Sequence, residues 1–372
     1  MKQENYRLIE ALRHELHEHP ELSNHETWTK AHLIDFLREH TELEIHDEGK
    51  WFWAAYRVGA DKPNIAFRAD FDALPIEEEC DVPYRSRISG VSHKCGHDGH
   101  SAALCGFALE LSELKPDKNV FLLFQHAEET GDGAWEARSL ITDQKIDEIY
   151  AYHNQPGFPV GTILLRSGPS KCASKGMIIE MVGTPTHASL PEKGKNPAFA
   201  LSKVVCAIPE LIAPERWKGL VMCTVIQLDV GQHAFGTAAS DGRLLLTIRG
   251  EYEEEMEALQ SELEKRSREL AEKDGLTCSF AFEDVFPATV NEAGCVDKVR
   301  QAAKALGYAI EEEHWGLARG SEDFGHYQKL TRGVIFSIGN GENTPTFHTA
   351  QYDFTDSIME NAVEIFKKVL TL

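Results

Sequence analysis

Val120-Phe-Leu-Leu-Phe-Gln-His-Ala-Glu-Glu-Thr-Gly-Asp-Gly133 is the stretch on which the fold turns. The apolar run Val120–Phe124 reads as a buried strand, and a glycine-rich turn bearing two adjacent carboxylates follows at once. Open α/β sheets place their active sites beyond the carboxyl ends of strands, so Glu128 and Glu129 stand at a working edge. Neighbouring residues diverge in direction, so one carboxylate can ligate a cation while the other faces a water. Taken alone, a solvated acidic turn is the commoner reading of such a pair.

Outward from this stretch the chain alternates. A helical pattern over Gly99–Leu114 precedes it, and the runs Trp51–Val58 and Asn64–Arg68 read as strands before that. Two further helices lie upstream: one carries Leu8, Ile9, Leu12 and Leu16 and stops before Pro20, the other spans about Thr27–Glu39. Downstream, Ile149–Tyr152 and Thr162–Leu165 are strand candidates. Strands alternating with helices predict an α/β fold with a mixed sheet covered on both faces. Near Lys171 the texture changes to strand Gly176–Val182, helix Pro197–Ile212, strands Leu220–Val230 and Arg243–Arg249, helix Glu253–Lys273 and strand Thr277–Glu283. That β-α-β-β-α-β order predicts an inserted ferredoxin-like α+β domain. The expected division is therefore 1–172 plus 288–372 for a discontinuous first domain and 173–287 for the insert. A closing helix is expected over Asp356–Leu372.

Bulk composition narrows the function classes. A chain of 372 residues exceeds what one hydrophobic core usually covers, in keeping with two domains. The formal net charge of −22 would repel phosphate backbones and anionic lipid, which sets nucleic acid and membrane partners aside. No signal-peptide pattern and no apolar window long enough to span a bilayer occur, so a cytoplasmic protein is expected. The 8 cysteines are scattered rather than spaced as a disulfide framework, and most read as reduced, buried small hydrophobes.

Cys95 is the exception. It stands in His93-Lys-Cys-Gly-His-Asp-Gly-His100, where a thiol, three imidazoles and a carboxylate crowd into one short segment. Cysteine and histidine suit zinc and its neighbours, and a tight turn at Gly96 would aim Cys95 and His97 at one point. A helix starting near Gly99 would place its positive end close by and favour the thiolate. His153 and His348 are different: a lone histidine near a strand end is more often a hydrogen-bonded turn residue than a ligand, and spacing does not pick out either one.

The segments together resemble the aminoacylase and carboxypeptidase-like metallohydrolase family, in its amidohydrolase branch of N-acyl-amino-acid deacetylases and auxin–amino-acid conjugate hydrolases. The resemblance rests on His17-Glu-His-Pro-Glu-Leu22, Arg68-Ala-Asp-Phe-Asp-Ala-Leu-Pro75, Cys95-Gly-His-Asp-Gly-His100, Ala127-Glu-Glu129, His153 with Pro159-Val-Gly161, Gly183 to His187-Ala, Ser321-Glu-Asp-Phe324 and Tyr352-Asp-Phe354. It implies that Cys95, His97, Glu129, His153 and His348 hold two divalent ions, with the cysteine bridging them. It implies that Glu128 is the general base activating the attacking water and that Asp72 orients a ligand. It also implies that the insert is a dimerisation (lid) domain, giving a homodimer or higher homo-oligomer. His187 then falls where the family places a histidine that meets the scissile carbonyl, from the neighbouring subunit in several members. The expected reaction is hydrolysis of the amide bond of an N-acyl amino acid or related small amide. A thiolate ligand favours zinc, while manganese, cobalt and nickel suit the same donors.

Two departures bear on substrate. Relatives carry Pro-His where this chain has Pro191-Glu192, and Asn-Val-Ile-Pro where it has Gly236-Thr-Ala-Ala239; that asparagine usually helps to hold the substrate carboxylate. Arg249 and Arg319 are candidate substitutes, although a salt-bridging surface arginine is the commoner reading of each. His126 stands where relatives have proline. A dipeptidase or carboxypeptidase on the same fold is the alternative enzyme reading, and a non-catalytic dimeric binding protein is the reading from another class.

Overall fold

A computed structural model describes residues Met1–Leu372. The chain divides into two compact units. The first comprises Met1–Ser170, Val290–Gly316 and Asp323–Leu372; the second comprises Lys171–Thr289 and Leu317–Glu322. The short segment Leu317–Glu322, expected with the first domain from its place in the chain, clusters with the second unit.

The first unit is built on one mixed sheet of eight strands. Their order across the sheet is Glu44–Asp47, Phe52–Tyr56, Asn119–Gln125, Asn64–Asp70, Glu148–Pro156, Arg332–Gly341, Ile163–Leu164 and Ile310–Glu311. The four central strands, from Asn119–Gln125 to Arg332–Gly341, run parallel, so their carboxyl ends share one edge. Alternate side chains enter opposite layers. Phe52, Ala54, Phe67, Leu122, Phe124 and Tyr150 join one apolar cluster with the helices Gln3–Glu18, Trp28–His40, His97–Leu114, Ala293–Leu306 and Ile358–Leu370. Trp53, Ala55, Ala66, Phe121, Leu123 and Ile149 join another on the opposite face with the short helices Gly133–Ala137 and Ser139–Asp143. The expected mixed sheet, covered on both faces, is the one observed.

The helix His97–Leu114 runs through the middle of the first layer, and its sequence is cut to fit. A Cβ on Gly99 would lie 2.4 Å from the Phe354 ring, so only glycine allows that approach. The helix begins at His97, two residues earlier than the apolar pattern indicated, with Gly96 at φ 101 turning the chain into it. Another boundary also moves. His153 was expected after a strand but lies inside Glu148–Pro156, where Ser337, Ile338 and Gly339 pair with His153, Asn154 and Gln155. Polar residues with no apolar alternation hid that extension.

The second unit has a four-stranded antiparallel sheet ordered Val221–Val230, Asp241–Gly250, Ala173–Val182, Thr277–Phe286. With helices Ala198–Leu211 and Glu253–Asp274 joining its cluster through Leu201, Val204, Met256, Leu259 and Leu263, this is the split βαβ arrangement. A two-stranded ribbon pairs Thr186–His187 with Thr237–Ala238. No helix of the protein is long and apolar enough to cross a membrane.

Candidate metal centre

The parallel strands bring their chemistry to one edge. Asn64–Asp70 delivers Asp72 just past its end, Asn119–Gln125 delivers Glu128 and Glu129, and Glu148–Pro156 delivers His153 within its last turns of chain. The start of the helix His97–Leu114 supplies His97, and Cys95 precedes it across Gly96. His348 comes from an irregular segment near the end of the chain; it holds a left-handed φ of 59, and its N–H donates to Lys94 O at 2.9 Å.

The donors converge in overlapping groups whose ligand atoms lie within 4.8 Å of one another: Cys95, His97 and His153; Cys95, Glu129 and His348; His97, Glu128 and Glu129. Cys95 Sγ is 3.6 Å from His153 Nε2, and His348 Nε2 is 3.4 Å from Glu129 Oε1. Cys95, His97, Glu128 and His153 are buried, while the His348 side chain is 51% exposed, so the centre opens on the side of that histidine.

Neighbouring groups set the direction of each imidazole. His97 Nδ1 bonds Asp72 Oδ1 at 3.0 Å, which leaves Nε2 facing the other donors. His153 Nδ1 donates to Asn154 O at 2.7 Å, with the same result. Asp72 is itself fixed, since its Oδ2 accepts from Glu129 N at 3.0 Å and from Ser23 Oγ at 2.7 Å. A ligating histidine needs such a partner on its far nitrogen. His100 belongs to the same sequence cluster but plays another part: Asp70 at 2.6 Å and Asn154 Oδ1 at 2.7 Å occupy both of its nitrogens.

A cation suits this arrangement. His97 Nε2 and Glu129 Oε1 are buried and make no hydrogen bond, and unsatisfied buried polar atoms are costly. Burial, followed by the charge of Glu129, pushes the Cys95 thiol above its ordinary range. The helix end was expected to favour a thiolate; those two effects outweigh it, and a bound cation would reverse them. His348 is pushed up to about 10 by the nearby Cys95 sulfur and then the Glu129 carboxyl group. Burial would lower His97, yet Asp70, Cys95 and Asp72 hold it well above its ordinary value. A thiolate, carboxylates and three imidazoles are donors for zinc and the neighbouring divalent transition metals.

The remaining candidates fall elsewhere. His187 lies in the second unit, exposed on the ribbon, with Nδ1 2.7 Å from Ser189 Oγ. In the same unit Arg249 donates to Ser321 Oγ at 2.7 Å and to Arg319 O at 3.2 Å, so its observed bonds are not to a carboxylate. Sequence reasoning missed Asp70 and Asn154, which fix His100 behind the donors. Asp70 was visible only as part of Arg68-Ala-Asp-Phe-Asp72, and Asn154 only as the neighbour of His153.

Residues 66–372 match the profile of peptidase family M20/M25/M40. An N-acetylcysteine deacetylase of Bacillus subtilis is 27% identical over 369 residues, covering 97% of this chain and 95% of the relative. A hippurate hydrolase of Campylobacter jejuni is 28% identical over 370 residues, covering 97% and 95%. Among solved structures, a dinuclear metal-binding M20 peptidase of Bacillus subtilis superposes with a TM-score of 0.85 at 25% identity, covering 99% of this chain and 98% of the other.

Proposed function

The chain belongs to peptidase family M20/M25/M40, and from that premise we propose that it is a metal-dependent amidohydrolase cutting the amide bond of an N-acyl amino acid or related small amide. The observation that carries the reading is the pair of donor groups sharing Cys95, with Glu128 beside them: its Oε2 is 3.9 Å from His97 Nε2.

The residues take distinct parts. Cys95, His97, Glu129, His153 and His348 would hold two divalent ions. Bound there, the ions would acidify a water and stabilise charge on the amide oxygen. Glu128 takes the proton of the attacking water and returns it to the departing amine nitrogen, the work of one general base then acid. Asp72 keeps the His97 ring in the tautomer that presents Nε2. His187 is assigned to the scissile carbonyl, and the second unit to dimerisation. We favour zinc because of the thiolate, and a cytoplasmic site of action.

Metal analysis and a panel of N-acetyl-amino acids, benzoylglycine and dipeptides test this on the loaded protein. The variant Glu128→Gln should keep its metal and lose about 10³-fold in kcat. Turnover near the wild-type level in that variant would remove Glu128 from the role of base. Cleavage of dipeptides alone would move the protein to the dipeptidase side of the family.

A further inference from the structure

Glu26 is a buried carboxyl group that the proposed chemistry leaves unused. It is 6% exposed, and its Oε1 accepts the N–H of Ala127 at 2.8 Å. Ala127 has φ 47, in the left-handed region that a residue with a Cβ adopts only when its surroundings impose it. It immediately precedes Glu128.

Both ends of this turn are held by carboxyl groups. Glu26 takes the amide of Ala127, Asp72 Oδ2 takes the amide of Glu129 at 3.0 Å, and Gly133 N closes the turn on Ala127 O at 3.1 Å. Glu128 sits between the two clamped amides. The segment that carries Glu26 is itself anchored: Glu21 accepts from Trp28 N at 3.2 Å and Thr29 N at 2.8 Å, and Glu21 O accepts from Ala73 N at 2.9 Å. One rigid loop therefore serves both Asp72, through Ser23, and the acidic turn, through Glu26.

We infer that Glu26 is a positioning residue for amide hydrolysis: by fixing the Ala127 amide it imposes the left-handed turn that aims Glu128 into the centre. The inference rests on reading Glu128 as the base. Burial and then the charge of Asp72 hold the Glu26 carboxyl up to about 8, so it is largely neutral at pH 7 and glutamine is a faithful substitute. Methionine has a similar length, but its thioether sulfur is only a weak acceptor for the amide proton. A residue that merely fills space would tolerate both.

The test compares Glu26→Met and Glu26→Gln with the wild type in two measurements. On protein stripped of metal, hydrogen–deuterium exchange across residues 126–129 should quicken about tenfold in Glu26→Met and stay unchanged in Glu26→Gln. On loaded protein with N-acetyl-amino acids, Glu26→Met should lose about tenfold or more in kcat, with metal content kept and KM within about threefold, while Glu26→Gln stays near the wild type. Equal behaviour of the two variants in either measurement overturns the inference. So does a Glu26→Met defect confined to KM or metal content. A wild type that cleaves no amide would sink the functional reading instead, and the exchange comparison would still decide whether Glu26 holds the turn.

Discussion

A Cβ placed on Gly133 would lie 1.7 Å from the carbonyl oxygen of His126 and 2.7 Å from Gln125 Nε2. No side-chain adjustment relieves a clash with a backbone carbonyl, so the turn from Gln125 to Gly133 closes only with glycine at its end. This is the turn that carries Ala127 at φ 47 and both site carboxylates. Gly133→Ala should therefore destabilise the protein by about 3 kcal/mol, the upper range for forced overpacking. The same change should lower kcat by about 10²-fold, because a shift of order 1 Å at Glu128 is enough to do so. Denaturant midpoints and steady-state rates on the purified variant check both. A variant as stable and active as the wild type would mean that the turn has room the geometry denies it.

Behind the donors, the first helix and the helix His97–Leu114 meet through charge rather than through apolar contact alone. Arg13 Nε donates to Asp98 Oδ2 at 2.9 Å; His17, one turn further on, reaches Asp98 at 2.7 Å and Glu78 at 2.9 Å. Lys94 Nζ donates to Glu78 Oε1 at 2.7 Å and to Tyr352 O at 2.8 Å. Burial alone would raise Glu78, but His17, Lys94 and the Ser86 N–H bring it from 4.5 down to about 2. A depressed carboxyl stabilises the fold fully above its unfolded value and loses that contribution as pH falls through its folded one. Its worth is about 3 kcal/mol at pH 7 and about 1 kcal/mol at pH 3. For protein stripped of metal, the gap in unfolding free energy between wild type and Glu78→Gln should accordingly shrink by about 2 kcal/mol from pH 7 to pH 3. A gap of equal size at both pH values would show that Glu78 does not carry this charge. These elements also show what the sequence made legible. Helices with apolar spacing and the split βαβ order could be read from periodicity, and Cys95, His97, Glu128 and Glu129 from chemistry next to a strand or turn. His153 hid in the polar tail of a strand whose pairing partner lies far along the chain. His348 hid because a backbone bond to Lys94, rather than any local pattern, carries it to the centre. Glu26 carries no such signal, since nothing in its sequence neighbourhood reveals that its partner is the amide of Ala127.

At the scale of the whole chain, all five proposed ligands belong to the first unit, drawn from stretches that share no local structure. The centre gathers two carboxyl groups, a thiol and three imidazoles around one point, so the folded form of this unit should gain most from bound metal. An ion that binds only the folded form stabilises it by about 4 kcal/mol when present at a thousand times its Kd. Chelation should then reverse that gain where the ligands reside, quickening amide exchange in the core of helix His97–Leu114 by about 10³-fold wherever exchange proceeds through unfolding of the unit. The second unit has its own apolar cluster, including Met177, Ile179, Leu244, Leu246 and Leu259, and supplies none of the five. Exchange in its helix Glu253–Asp274 and strand Asp241–Gly250 should change little on the same treatment. Hydrogen–deuterium exchange with and without chelator, resolved by peptide, reads both units in one experiment. Equal acceleration in the two would mean that metal binding stabilises the chain as one body; no acceleration in the first would mean that these residues hold no ion that matters to the fold.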